Sequence, residues 1–126
     1  MSEVYEMYKA GAIAISDDGI PLQNSKILRY ALEYCKMLDI PIINHAEDLC
    51  LKDDGVMHEG VVSTQLGLKS SPGITESNMI HRDLELADLT QSRLHVPHVS
   101  SSRSVEHINV MKNKINNITV EVRPHH

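Results

Sequence analysis

Three short apolar runs in this chain each stop at a side chain able to bind a metal, and that recurrence constrains the fold more than any other feature. Ala12-Ile-Ala-Ile15 leads into Ser16-Asp-Asp-Gly19, Ile40-Pro-Ile-Ile-Asn44 leads into His45, and Leu94-His-Val96 leads through Pro97 to His98. Apolar runs of this length, bounded by Pro or Gly and followed by a helical pattern, are the mark of buried parallel strands. In such sheets functional side chains gather just beyond the carboxyl ends of the strands. Asp18, His45 and His98 all fall at that position. Three strands therefore deliver one carboxylate and two imidazoles to one rim.

The intervening segments supply the helices. Residues 2–10 read as the last turns of a helix closed by Gly11, with a strand over 12–15 and a turn over 16–19. Asn24 or Ser25 caps a helix over about 26–38, whose Ile27, Leu28, Ala31, Leu32, Cys35 and Leu38 recur at helical spacing. The second strand spans 40–44. Residues 46–74 form a long excursion with a short helix near 58–66, and excursions of that length in compact domains are commonly functional. Thr75 is expected to cap a helix reaching Thr90, with Met79, Ile80, Leu84, Ala87 and Leu89 facing inward. A strand follows over 94–96, then a helix opened by Ser101 or Ser102 with Val105, Ile108, Met111 and Ile115 on its buried stripe. The last strand covers 118–122. Strand and helix alternate four times, which specifies an α/β fold built on a parallel sheet.

Composition narrows the function classes. A formal charge of −5 and the absence of any Lys/Arg cluster argue against nucleic acid as a partner. No apolar run approaches the ~18–20 residues of a membrane helix, and the amino terminus lacks a signal-peptide layout. Cys35 and Cys50 show no paired spacing and are expected to be reduced thiols, which points to the cytoplasm. Eight histidines in 126 residues is a high count that the metal reading accounts for in part.

Taken alone, Asp18 is a turn aspartate able to cap its own backbone, and a single strand-end histidine is as readily structural. The wider pattern is more specific. Ser16-Asp-Asp-Gly19, His45-Ala-Glu-Asp48, Glu59-Gly60, Leu66-Gly-Leu68, Pro72, Glu76, Arg82-Asp83-Leu84, His95-x-x-His98-Val-Ser100 and Glu121-x-x-Pro-His-His126 together resemble the class I dihydroorotases. These are zinc amidohydrolases of pyrimidine biosynthesis, built on a TIM (β/α)₈ barrel. The resemblance runs the length of the chain in order. It implies that residues 1–126 form a partial amidohydrolase barrel domain, about half of a barrel that usually needs roughly 250 residues, covering strands four to seven.

The resemblance also implies the ligands. Asp18 would bridge two zinc ions where hydantoinases carry a carbamylated lysine, and its 27-residue step to His45 favours it over Asp17. His45 and His98 would bind one of the metals. The His-x-His of the first barrel strand and the general-base Asp of the eighth lie outside the motifs of this sequence, as do the family's substrate-contacting Arg and Asn. Glu47 and Asp48 are expected behind the ligands or ordering the loop, and His95 either on the opposite side of its strand, if alternation holds, or behind the ligands. His58, His81 and His107 are expected to be solvated. The implied reaction is the reversible conversion of N-carbamoyl-L-aspartate to dihydroorotate, with little activity expected from these residues alone. The alternative is a non-catalytic dihydroorotase-like subunit that associates with aspartate carbamoyltransferase. Four strands with open edges further imply a homo-oligomer or pairing with the missing half of the barrel.

Overall fold

A computed structural model of the chain describes residues 3–124. The helical start expected at Ser2 and the resemblance at His125 and His126 fall outside them. The elements in order are α1 (Val4–Lys9), β1 (Ile15–Ser16), α2 (Ser25–Met37), β2 (Ile42–Ile43), α3 (Leu49–Lys52), β3 (Met57–His58), α4 (Val61–Leu66), β4 (Ser70–Ser71), α5 (Ile74–Thr90), β5 (Leu94–Val96), α6 (Ser102–Lys112) and β6 (Ile118–Val120).

The main sheet runs β1-β2-β5-β6, and every neighbouring pair is parallel. Strand order follows chain order with no reversal. A doubly wound sheet would reverse at a switch point, whereas a barrel arc does not. The distribution of the core agrees. Leu94, Val96 and Ile118 are buried against Ile80, Leu84, Ala87, Ile108 and Met111 of α5 and α6. Ile42 is buried with Leu28, Leu32 and Cys35 of α2. The alternate residues Ser16, His95 and Thr119 are left half-buried or exposed. Helices thus cover one face of the sheet, as they do on the outside of a barrel.

Local chemistry sets the boundaries. Asn24 Oδ1 accepts from the amides of Lys26 and Ile27 and starts α2. Gln91, at φ 54° in the left-handed region, ends α5. Pro97 has no amide to donate, so β5 stops at Val96. The first strand lies at 15–16 instead of 12–15, the second spans 42–43, and the last ends at Val120, so the apolar runs outlast the paired backbone.

Three expectations about α5 and α6 need correction. Thr75 is inside α5, whose N-cap is Gly73; the Thr75 hydroxyl meets Ser71 Oγ at 3.0 Å. Leu89 is 65% exposed. Nine residues from Ile80, at about 100° each, put it on the opposite side of the helix. Val105 is exposed as well, because Ser104 and Ile108 occupy the face that packs down.

The excursion after β2 is more ordered than its sequence suggested. It contains α3, α4 and the parallel pair β3–β4. Gly55 is required there: a Cβ at this position would meet Ser71 N at 2.7 Å and the Ser70 carbonyl carbon at 2.8 Å. Both cysteines are free, with Cys35 buried on the inner stripe of α2 and Cys50 exposed. Among the described residues no helix is long and apolar enough to cross a membrane.

Candidate metal centre

Adjacent parallel strands β2 and β5 end side by side, and each continues into one histidine. Their register pairs Ile42 with Leu94 and Ile43 with His95, so His45 and His98 leave the sheet at nearly the same height. His45 Nδ1 lies 2.9 Å from His98 Nε2, with the ring centroids 4.6 Å apart and the planes at 63°. Two nitrogens held at ~2.0–2.1 Å by one tetrahedral zinc stand roughly 3.3 Å apart. The two rings need only a small spreading to accept an ion between those atoms. Two neutral imidazoles also suit a cation of borderline softness. The pair therefore fits zinc.

The third expected ligand is not gathered with them. Asp18 is exposed, at φ 55°, and its carboxylate makes no hydrogen bond or ion pair among the described residues. Nor does any group of three or more His, Cys, Asp or Glu placed to hold a metal occur among those residues. Its neighbour Asp17 is committed to backbone: Oδ2 accepts from the His45 amide at 2.6 Å and Oδ1 from the Gly19 amide at 3.1 Å. Asp17 thus fastens the end of β1 to the end of β2, and Asp18 remains the uncommitted carboxylate of the turn. Left-handed backbone outside glycine is uncommon and is tolerated where a side chain must be aimed. Asp39, Asp53 and Gln91 show it just past helices, whereas Asp18 and His98, at φ 40°, show it beyond strands at the rim.

Several residues brace this rim. His45 Nε2 faces Glu47 Oε2 at 3.7 Å, and Lys52 Nζ meets the same oxygen at 2.9 Å. Asp48 caps α3 by accepting from the amides of Cys50 and Leu51. Gln23 reaches across to the Glu47 carbonyl at 2.8 Å and accepts from the Leu49 amide at 3.3 Å. Below His45, Asn44 Nδ2 donates to Asp83 Oδ2 at 2.6 Å, and Arg82 Nε donates to Asp83 Oδ1 at 2.8 Å. Burial pushes the Asp83 carboxyl up to about 6, with Asp17 adding to the rise and Arg82 and Asn44 opposing it. In the sequence, Arg82 and Asp83 belong to the family resemblance but carry no evident role; the signal for one is a charge on the stripe of Ile80, Leu84 and Ala87, next to an arginine.

The other histidines sort by position. His95 faces away from Leu94 and Val96 as alternation requires, with Nδ1 2.8 Å from Thr119 Oγ1 and Nε2 3.7 Å from Glu121. His58 is not simply solvated, since its Nε2 lies 3.1 Å from Ser100 Oγ. His81 and His107 place their rings 4.8 Å apart across α5 and α6. Between the excursion and the rim lies a cavity of about 290 Å³, lined among others by His45, Glu47, His58, Glu76, His98 and Ser100.

The family model described as Dihydro-orotase-like matches residues 1–104. The chain belongs to the dihydroorotase-like family. The dihydroorotase of Pelotomaculum thermopropionicum is 48% identical over all 126 residues, and that of Syntrophotalea carbinolica is 44% identical over the same span. In both cases the match covers 100% of this chain and 30% of the relative, so this dihydroorotase-like chain spans less than a third of their length. Among solved structures, D-hydantoinase from a Bacillus sp. AR9 superposes with a TM-score of 0.77 at 20% identity, over 99% of this chain and 30% of its own. L-hydantoinase from Arthrobacter aurescens gives 0.73 at 21% identity, over 97% and 29%. At that identity the likeness concerns the fold alone, and the coverage makes the four-stranded arc a part of a TIM barrel.

Proposed function

We propose that this chain carries one half of the metal centre of a dihydroorotase. The full protein would interconvert N-carbamoyl-L-aspartate and dihydroorotate in the cytoplasm. The observation that carries the reading is the 2.9 Å approach of His45 Nδ1 to His98 Nε2 at the carboxyl rim of adjacent strands. These two nitrogens would hold a zinc ion, and the uncommitted Asp18 carboxylate on the neighbouring turn would serve as a further donor to the metal centre. When bound, zinc supplies a hydroxide near neutral pH and polarises the amide carbonyl.

What the chain itself contributes is positioning. Asp17 holds the His45 amide, Asp83 holds Asn44 beneath it, and Glu47 stands at the far nitrogen of His45, an arrangement that favours a proton on Nε2 and a lone pair on Nδ1. The general base and the remaining ligands belong to barrel strands beyond this arc, so the chain alone should turn over little dihydroorotate. The outer edges of β1 and β6, unpaired among the described residues, support association with further strands, from the rest of a barrel or from a second copy.

A segment exchange tests this. These 126 residues should replace the matching segment of the Pelotomaculum enzyme and yield a chimera that hydrolyses dihydroorotate, with His45→Ala or His98→Ala abolishing turnover. A folded, zinc-loaded chimera without activity would refute the proposal.

A further inference from the structure

The rim carries one carboxylate whose bonds no ligand role explains. Glu76, in the first turn of α5, accepts from the Ser100 amide at 3.2 Å and 3.0 Å through its two oxygens. It accepts from the Ser101 amide at 3.0 Å, and the Ser100 hydroxyl donates to it as well. Three donors two and three residues past His98 thus converge on one side chain from a different helix. With its hydroxyl proton given to Glu76, Ser100 Oγ is left to accept from His58 Nε2 at 3.1 Å. His58 belongs to β3, so the excursion is tied to the same point.

His98 sits at φ 40°, a conformation that a non-glycine residue holds only when its surroundings impose it. On the strand side, the Val99 amide donates to the Glu121 carbonyl at 3.0 Å. On the helix side the restraint is Glu76. Charge-assisted bonds to backbone amides are among the stronger single restraints a side chain can apply. We infer that Glu76 is a positioning residue for His98: it locks the turn over residues 98–101 so that His98 Nε2 faces His45 Nδ1. The inference rests on His98 being a metal ligand only for its consequence in binding; the locking of the ring stands on its own. A plain helix cap for α6 is the competing role, and it would alter stability without moving the ring.

The test uses the 126-residue chain, with Glu76→Ala, the near-isosteric Glu76→Gln and, as control, His98→Ala. Long-range nitrogen–proton NMR of the imidazoles reports whether each ring holds a single tautomer. Cobalt(II) titration, followed by its visible absorption, reports binding. The expected result is fixed tautomers for His45 and His98 in the parent, averaged ones in Glu76→Ala, and cobalt affinity about 10- to 100-fold lower, the usual effect of removing a support behind a ligand. Glu76→Gln, which keeps an acceptor, should fall between. Should Glu76→Ala fail to fold, Glu76→Gln alone decides, and parent-like ring signals in it overturn the inference. Unchanged tautomers with only a lower melting temperature reduce Glu76 to a cap. If His98→Ala leaves cobalt affinity intact, the ligand reading fails instead, and the ring signals still judge Glu76.

Discussion

Replacing Asp83 with asparagine isolates the energetic consequence of a carboxyl group buried beneath the rim. Asp83 is 2% exposed, and its carboxyl titrates at about 6 where 3.8 is ordinary. The folded chain therefore holds this proton more tightly than the unfolded chain does. Between those two values the native state binds more protons, so the contribution to stability grows as pH falls from about 6 to 3.8 and is lost as pH rises through 6. At 1.36 kcal/mol per pH unit the gap corresponds to roughly 3 kcal/mol. Asparagine keeps the shape and an acceptor for Asn44 but cannot ionise. Urea unfolding of the parent and Asp83→Asn at pH 4, 5, 6 and 7 should show the variant gaining on the parent by about 2 kcal/mol between pH 4 and pH 7, because at pH 4 the unfolded chain is already partly protonated, whatever the variant's offset. The difference between the two proteins cancels the titration of the carboxylates that do not interact with Asp83, which leaves Asp17 as the one coupled carboxylate. A difference that stays level across the range would refute the assigned burial penalty.

Other perturbations separate the parts of the rim. Asp18→Asn should weaken zinc binding with little change in unfolding free energy. Asp17→Ala should lower stability by about 1.5–3 kcal/mol through loss of the charged bond to the His45 amide, and urea titration beside zinc competition distinguishes the two. Gly55→Ala forces apart residues 55 and 70–71, so hydrogen exchange should quicken across 56–71 while the amides of β5 keep their protection. Leu84→Ala, at a fully buried position between α5 and the sheet, should cost about 2–5 kcal/mol in denaturant unfolding.

Much of this architecture was legible in the sequence because the strands and helices repeat one local grammar. Asn24, the spacing of Leu28, Leu32 and Cys35, and the run Leu94–Val96 each determine local structure through near neighbours, and each was placed to within a residue or two. Leu89 departs from the stripe because apolar character alone does not give the angle around the helix, and that angle points it to solvent. The parallel pair β3–β4 went unseen because its strands are two residues long and partly serine, held by a close backbone approach at Gly55 that no periodicity encodes. At the site, strand ends identified His45 and His98, since position along a strand is a local property. The bracing by Glu76, Asp83 and Gln23 depends on contacts 24 to 59 residues apart in the chain, and a sequence read in windows does not contain them. The split between Asp17 and Asp18 is of the same kind: it emerges only when β1 lies against β2.

X-ray absorption at the zinc edge, on the chain loaded with one equivalent of the metal, tests the pairing of the two rings most directly. The expected spectrum contains the multiple-scattering signature of two imidazoles, and both should vanish in the His45→Ala/His98→Ala double variant. Zinc that binds with the same imidazole count in the double variant, or a parent chain that takes up none, would contradict the assignment of this rim as a metal half-site.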